Sequence, residues 1–203
     1  MTFDPNVHIF KSPKVHAIID EAIVFLNQTP PHPLPLPESF IGTGVYCLYY
    51  LGDYDLYNKI AIANISECTQ PIYVGKAVPK GWRTARTTSE EGSTLTQRLR
   101  EHARSIKHCA GLDIKDFKCR FVILKDEESS MITIVEAALI KKYRPLWNTV
   151  VDGFGNHDPG SGRYDQAKSE WDVLHPGRPW AERLRGKSPD LEGIKVKIRN
   201  TLK

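Results

Sequence analysis

A chain of 203 residues with 40% hydrophobic and 26% charged side chains is long enough for one full hydrophobic core with decoration, and this balance excludes a disordered tail or a fibre. The net charge of +4 is mild, but it is unevenly spread: residues 93–150 carry 11 basic and 7 acidic groups, residues 1–40 only 2 and 4. No apolar run approaches the roughly 18 residues of a membrane span, and Met1–Phe10 lacks the basic-then-apolar pattern of a secretory signal.

In chain order, the first expected element is a helix from about Lys14 to Asn27, with Ile18, Ile19, Ala22, Ile23, Phe25 and Leu26 as its apolar stripe. It runs into Thr29-Pro30-Pro31-His32-Pro33-Leu34-Pro35-Leu36-Pro37, which can neither continue a helix nor join a central strand and so reads as a stiff, extended connector. Strand character begins at Val45–Tyr50 and returns at Pro71–Val74. Between them lies an insert, residues 51–70, with its own apolar patch at Ile60-Ala61-Ile62. A polar loop from Val78 to Gly92 holds Lys80, Arg83 and Arg86 around Trp82. Thr94 and Gln97 have capping-box spacing for a helix ending near Cys109, with Gly111 beyond it. Phe117–Leu124 alternates as a third strand, and Ser129 or Ser130 is expected to cap a helix that stops before Pro145. After Asn148 the chain turns glycine-rich and polar, then resumes with Trp171, Trp180 and basic residues. Cys47, Cys68, Cys109 and Cys119 show no C-x-x-C pairing, which predicts free thiols in a reducing compartment over disulfides or zinc ligands.

Two polar placements stand out against this pattern. Glu136 shares a helix face with Ile132, Leu139 and Ile140, so its carboxylate has to be ion-paired, neutralised or bound to a cation. His102 lies three residues after Leu99 and four before Ile106, with Arg98 one turn earlier on the same inward face. Each alone reads as a satisfied core residue or a salt bridge to a buried arginine. Together they suggest a common polar site. The two short motifs Gly44-Val45-Tyr46 and Tyr73-Val74-Gly75 bring two tyrosines to the same part of the chain. Two tyrosines, an arginine, a histidine, a carboxylate and a carboxamide suit metal-assisted cleavage of a phosphodiester.

In their order, Gly44-Val45-Tyr46, Tyr73-Val74-Gly75-Lys76-Ala77, Arg98, His102, Glu136 and Asn148 resemble the signature of the GIY-YIG nuclease superfamily, over about residues 41–150. The resemblance implies an α+β fold: a small three-stranded, mainly antiparallel sheet flanked by helices, with an N-terminal helical and proline-rich arm (1–40), the insert and a DNA-binding C-terminal extension (151–203). It implies catalytic roles for Tyr46, Tyr73, Lys76, Arg98, His102, Glu136 and Asn148. Glu136 would hold one Mg²⁺, for which Mn²⁺ could substitute, and no small-molecule cofactor is implied. Tyr46 would be the general base, with His102, Lys76 and Arg98 as cations favouring its tyrosinate. Arg98 would meet the phosphate, Tyr73 would orient water or phosphate, and Asn148 would brace the site. His102 stands where several relatives carry another tyrosine.

The arm, the insert and the extension resemble the type II restriction endonucleases of this superfamily, in particular the group cutting the palindrome CCGCGG. That implies a magnesium-dependent enzyme of a restriction-modification system, working in the cytoplasm of a bacterium on double-stranded DNA as a homodimer, one protomer per half-site. The loop at 78–92 and the 152–185 region offer side chains that could read base edges. The alternatives are a nuclease nicking single strands in repair or intron mobility, a DNA-binding module that has lost catalysis, and an unrelated α/β protein matching by chance.

Overall fold

The computed structural model describes residues 3–78, 81, 92 and 94–203. Lys80, Trp82, Arg83 and Arg86, the groups expected to project from the 78–92 loop, lie outside the described residues.

The first long element is α1, Pro13–Gln28, opened by a proline whose missing N–H costs nothing in the first turn. Ile23 and Leu26 are buried and Ile19 and Ala22 pack beside them, a run with i, i+3, i+4, i+7 spacing. Ile18 and Phe25 were expected in this stripe, yet both are exposed: seven residues apart, they lie together just off the buried face. The proline run then supplies a two-residue strand, β1 (His32–Pro33), and sends Leu34 and Leu36 into the core.

The sheet is built from β1, β2 (Gly44–Tyr50), β3 (Tyr73–Ala77) and β4 (Phe117–Ile123), in the order β1-β4-β2-β3 with every pairing antiparallel. It therefore has four strands, not the expected three. Proline has no N–H to donate, which bars Pro33 from a central strand but not from the edge position it takes against Lys118.

Central strand β2 is buried along its whole length, and its alternation sorts two cores. Tyr46, Leu48 and Tyr50 point to one face, where Leu95, Leu99, Ala103 and Ile106 of α3 (Thr94–His108) cover them. Val45, Cys47 and Tyr49 point to the other, packed by α1 and by Ile132, Val135 and Leu139 of α4 (Ile132–Tyr143). Ser129 and Ser130 do not cap α4. Their hydroxyls donate to the Asp126 and Glu127 carbonyls and close the 3-10 turn that leads into it. Arg144, left-handed at φ 45°, ends α4 just before Pro145.

The insert contributes a 3-10 turn and α2 (Asn58–Asn64), with Tyr57, Ile60 and Ala61 joining the α3-side core. Asn64 closes it by using its whole amide: Nδ2 donates to the Tyr50 and Gln70 carbonyls, and Oδ1 accepts from the Thr69 and Gln70 N–H groups. The same core takes in α5 (Leu146–Thr149) and the segments beyond it, α6 (Glu170–Leu174) and α7 (Leu191–Thr201), through Trp147, Phe154, Trp171, Leu174, Ile194 and Ile198. All four cysteines are free and buried, as expected. Among the described residues, no helix is long and apolar enough to cross a membrane.

Candidate active site

Strand register decides which side chains meet. In the antiparallel pair, Tyr46 of β2 lies opposite Gly75 of β3. A Cβ at Gly75 would stand 2.4 Å from the Tyr46 hydroxyl, so the missing side chain is the space that hydroxyl occupies. Tyr73 is two residues earlier on the same face, with its ring centroid 6.3 Å from that of Tyr46. Over both lies α3, which buries His102 and brings its Nε2 to 2.6 Å from the Tyr46 oxygen. Arg98, one turn before, joins them at the rim.

Lys76 and Glu136 come from the opposite face, because Lys76 alternates with Gly75 along β3 and Glu136 belongs to α4. Lys76 Nζ is 2.6 Å from Glu136 Oε2. This lysine, and not a buried arginine, is the partner that makes a carboxylate tolerable beside Ile132 and Leu139. The Glu136 charge is still close enough to act on both tyrosines, raising their pKa values alongside larger causes. β3 is an edge strand, so the two faces meet along its open side. Asn148 covers that side: its Nδ2 donates to the Val74 carbonyl and its Oδ1 accepts from the Val74 N–H, both at 2.8 Å, much as one residue of a further strand would.

The structure thus brings together all seven residues singled out from the sequence. Their protonation differs from expectation. Burial, with the nearby Tyr73, pushes the Tyr46 pKa well above 10 and outweighs the downward pull of Arg98, so Tyr46 rests as a phenol. Burial likewise pushes Tyr73 up to about 12. His102 was expected as a cation favouring a tyrosinate. Instead, burial and then the Arg98 charge hold its pKa well below the ordinary histidine range, leaving a neutral imidazole. Lys76 is spoken for by Glu136, and Arg98 is the cation that lowers the Tyr46 pKa.

Glu136 would offer a metal a single carboxylate. Among the described residues, no group of three or more His, Cys, Asp or Glu side chains converges anywhere. A lone carboxylate is a poor cage for a tightly held ion, but it suits Mg²⁺, which keeps several waters and is bound by one or two carboxylates together with substrate phosphate.

Several residues that shape the site were not found from the sequence, because they come from the stretch after Asn148. Phe154 stacks on His102 with ring centroids 4.6 Å apart and planes 19° apart, shutting one side of the imidazole from water. Gly155 lies against the Tyr73 hydroxyl, where a Cβ would come within 2.6 Å. His157 Nε2 is in hydrogen-bond contact with Arg98 Nη1, which also meets Glu101 Oε2 at 2.8 Å. A cleft of about 320 Å³ opens beside them, lined by Arg98, Glu101, Arg104, His108, His157 and Trp180 among others. The glycine spacing after Asn148 signalled a loop that could approach something closely, but nothing in it said which residues it would meet.

Residues 38–202 match the family model described as the Eco29kI GIY-YIG domain. No curated protein matches the chain.

Proposed function

The chain belongs to the Eco29kI GIY-YIG family, a GIY-YIG restriction endonuclease family, and from this premise we propose that it is a type II restriction endonuclease that hydrolyses phosphodiesters in double-stranded DNA at a specific, palindromic, GC-rich site. The observation that carries the reading is the joining of Tyr46, Tyr73, Arg98 and His102 from one face of the sheet with Lys76 and Glu136 from the other. An anion-binding, proton-transferring centre of this kind is what phosphodiester hydrolysis requires.

Glu136 would hold Mg²⁺, which would supply Lewis-acid stabilisation of charge on the scissile phosphate. Lys76, paired with Glu136 at 2.6 Å, would offer its charge to a non-bridging phosphate oxygen. Tyr46 takes a proton from the attacking water as its own hydroxyl proton passes to His102 Nε2, 2.6 Å away. The water O–H and the original Tyr46 O–H break while a new Tyr46 O–H and a His102 N–H form, so this relay needs no free tyrosinate. The new P–O bond replaces the one to the leaving oxygen, which departs as an alkoxide and takes a proton from solvent. Burial and the Arg98 charge make His102 a weak base at rest, so the transfer depends on the arriving phosphate, whose negative charge would favour the imidazolium. Arg98 meets the negative charge that grows on the phosphate in the transition state. Tyr73 orients water or phosphate, and Asn148 fixes the β3 edge from which Tyr73, Gly75 and Lys76 project.

One such centre cuts one strand, so cleavage of both strands of a palindrome calls for a homodimer, one protomer per half-site. The exposed Ile18, Val24 and Phe25 of α1 support this, being apolar side chains that a partner subunit could cover. Plasmid DNA digested in Mg²⁺, followed by sequencing of the ends, tests the function directly. Discrete fragments with a common end sequence are expected. Nicked circles alone would favour single-strand cleavage, and a digest that leaves the plasmid intact would refute the nuclease reading. Glu136→Ala is expected to keep DNA binding and lose cleavage.

A further inference from the structure

The loop that delivers His157 is held by an arginine buried with no charge exposed. Arg178 is 2% exposed and Asp172 1%. Arg178 Nε donates to Asp172 Oδ1 at 2.6 Å and Nη2 to Asp172 Oδ2 at 2.8 Å. Its remaining donors reach backbone carbonyls: Nη2 that of Gly153 at 2.9 Å, Nη1 those of Phe154 at 3.0 Å and Asn156 at 3.3 Å. The rings of Trp171 and Trp180 lie 4.7 and 4.6 Å from the guanidinium carbon. All five N–H groups of the fixed fork are thereby engaged, two on Asp172 and three on backbone carbonyls of one loop. So much order in a glycine-containing loop needs a reason, and the residues it presents supply one: Phe154 to His102, Gly155 to Tyr73, His157 to Arg98.

At Arg98, which also hydrogen-bonds Tyr46, two acceptors fall on one nitrogen. Nη1 donates to Glu101 Oε2 on its own helix and to His157 Nε2 from the loop. His157 Nδ1 in turn lies 4.0 Å from Glu101 Oε2, so the two acceptors flank the same guanidinium corner. An arginine side chain is long and has several rotatable bonds, and two acceptors on Nη1 stop its rotation. The rest of the guanidinium, which also hydrogen-bonds Tyr46, is then held where it can take phosphate oxygens.

We propose that His157 and Glu101 are positioning residues for Arg98, fixing its guanidinium beside Tyr46 so that it meets the scissile phosphate, and that the Arg178–Asp172 pair holds the loop that brings His157 there. This rests on the nuclease reading of the site. Its consequence is that part of the catalytic apparatus comes from the segment beyond Asn148.

The test uses the full chain, the duplex defined by the plasmid digest, single-turnover cleavage in Mg²⁺, and DNA affinity measured separately in Ca²⁺. His157 is largely exposed, so its variants should fold. His157→Phe keeps a ring and removes the acceptor; His157→Gln keeps an acceptor. The expected result for His157→Phe is a cleavage rate lowered by roughly tenfold to a hundredfold, since a small misplacement of a charge-stabilising group is costly, with DNA affinity within about threefold of wild type. His157→Gln is expected to recover most of the rate. A His157→Phe protein that cuts at the wild-type rate would overturn the proposal. So would a parallel loss of affinity, which marks a direct DNA contact, or a His157→Gln protein as slow as His157→Phe. A wild-type chain that cuts no DNA sinks the nuclease reading itself, whereas a cutting wild type with an unimpaired His157→Phe sinks only the role of His157.

Discussion

Asp172→Asn removes one charge and almost no volume from the most buried ion pair among the described residues. In the wild type, the carboxylate accepts from Arg178 Nε and Nη2 at 2.6 and 2.8 Å and also from the Ser169 hydroxyl at 2.6 Å. With asparagine there, a guanidinium only 2% exposed keeps its charge without a counter-ion, and the amide NH₂ must point at a donor. Removing one partner of a buried pair costs about 3–5 kcal/mol, because the remaining charge is left uncompensated. Against a total stability of about 5–15 kcal/mol for a folded domain, that is a large fraction. At about 2–4 °C per kcal/mol for a chain of this size, the melting temperature should fall by about 6–20 °C. Urea unfolding should show a lower midpoint with an unchanged slope. Asp165→Asn is the control: its partner Arg185 and Asp165 itself are 71% and 88% exposed, and such pairs contribute about 0–1 kcal/mol. An Asp172→Asn protein within about 1 kcal/mol of wild type would show that the Arg178 guanidinium finds solvent or other acceptors and that the buried pair is not what holds the loop.

Three further outcomes follow from particular contacts. Gly75→Ala places a Cβ 2.4 Å from the Tyr46 hydroxyl and 2.5 Å from its ring; overpacking of about 1–3 kcal/mol and loss of DNA cleavage are expected, and a stable, active variant would show that Tyr46 can move. Asn148→Ala leaves the Val74 N–H and carbonyl without their partner; about 1–3 kcal/mol of stability should be lost on urea unfolding, with slower cleavage, and unchanged values would remove its bracing role. Burial holds the His175 pKa down at about 4, with Nε2 beside the Tyr57 hydroxyl, while the unfolded chain titrates near 6.5. The unfolded state therefore takes up a proton first as the pH falls, so stability is full above about 6.5 and is lost between about 6.5 and 4, by about 3 kcal/mol from this residue at 1.36 kcal/mol per pH unit. His102, held low in the same way, acts in the same direction. His175→Gln should flatten the dependence in that window, and an equally steep curve in the variant would place the acid sensitivity elsewhere.

Much of the site could be read from the sequence because its residues sit on regular elements whose periodicity is local. Arg98 and His102 are one helical turn apart, and Tyr73, Gly75 and Lys76 follow strand alternation, so their faces are set by backbone geometry alone. Glu136 stood out because a carboxylate at a helix position flanked by Ile132 and Leu139 needs a partner. The partner's identity could not be read. Lys76 and Glu136 are brought together only by the packing of α4 against β3, and the protonation of Tyr46 and His102 depends on how much protein covers them. The edge strand at His32–Pro33 was hidden for a similar reason: the sequence excludes a proline run from a sheet interior but does not say which edge it will reach.

The stretch after Asn148 marks the boundary most clearly. Its composition, glycine-rich and then basic and aromatic, suggested an extension reaching toward DNA. In the fold, Trp171, Leu174, Ile194 and Ile198 enter the same core as Tyr46, and Arg178 binds the loop that covers His102 and touches Arg98. The sequence by itself determined the nuclease family, the order of the three main strands and the helices before Asn148, and seven polar residues, of which Arg98, His102 and Glu136 lie on inward helix faces. Only the tertiary structure decided that Tyr46 and His102 rest neutral and hydrogen-bonded, that Lys76 guards Glu136, and that His157 stands beside Arg98. Periodicity and motif spacing act over a few residues and are written along the chain, whereas desolvation, ion pairing and loop placement depend on groups far apart in it, such as Tyr57 and His175 at 118 residues, and those meet only when the core has formed.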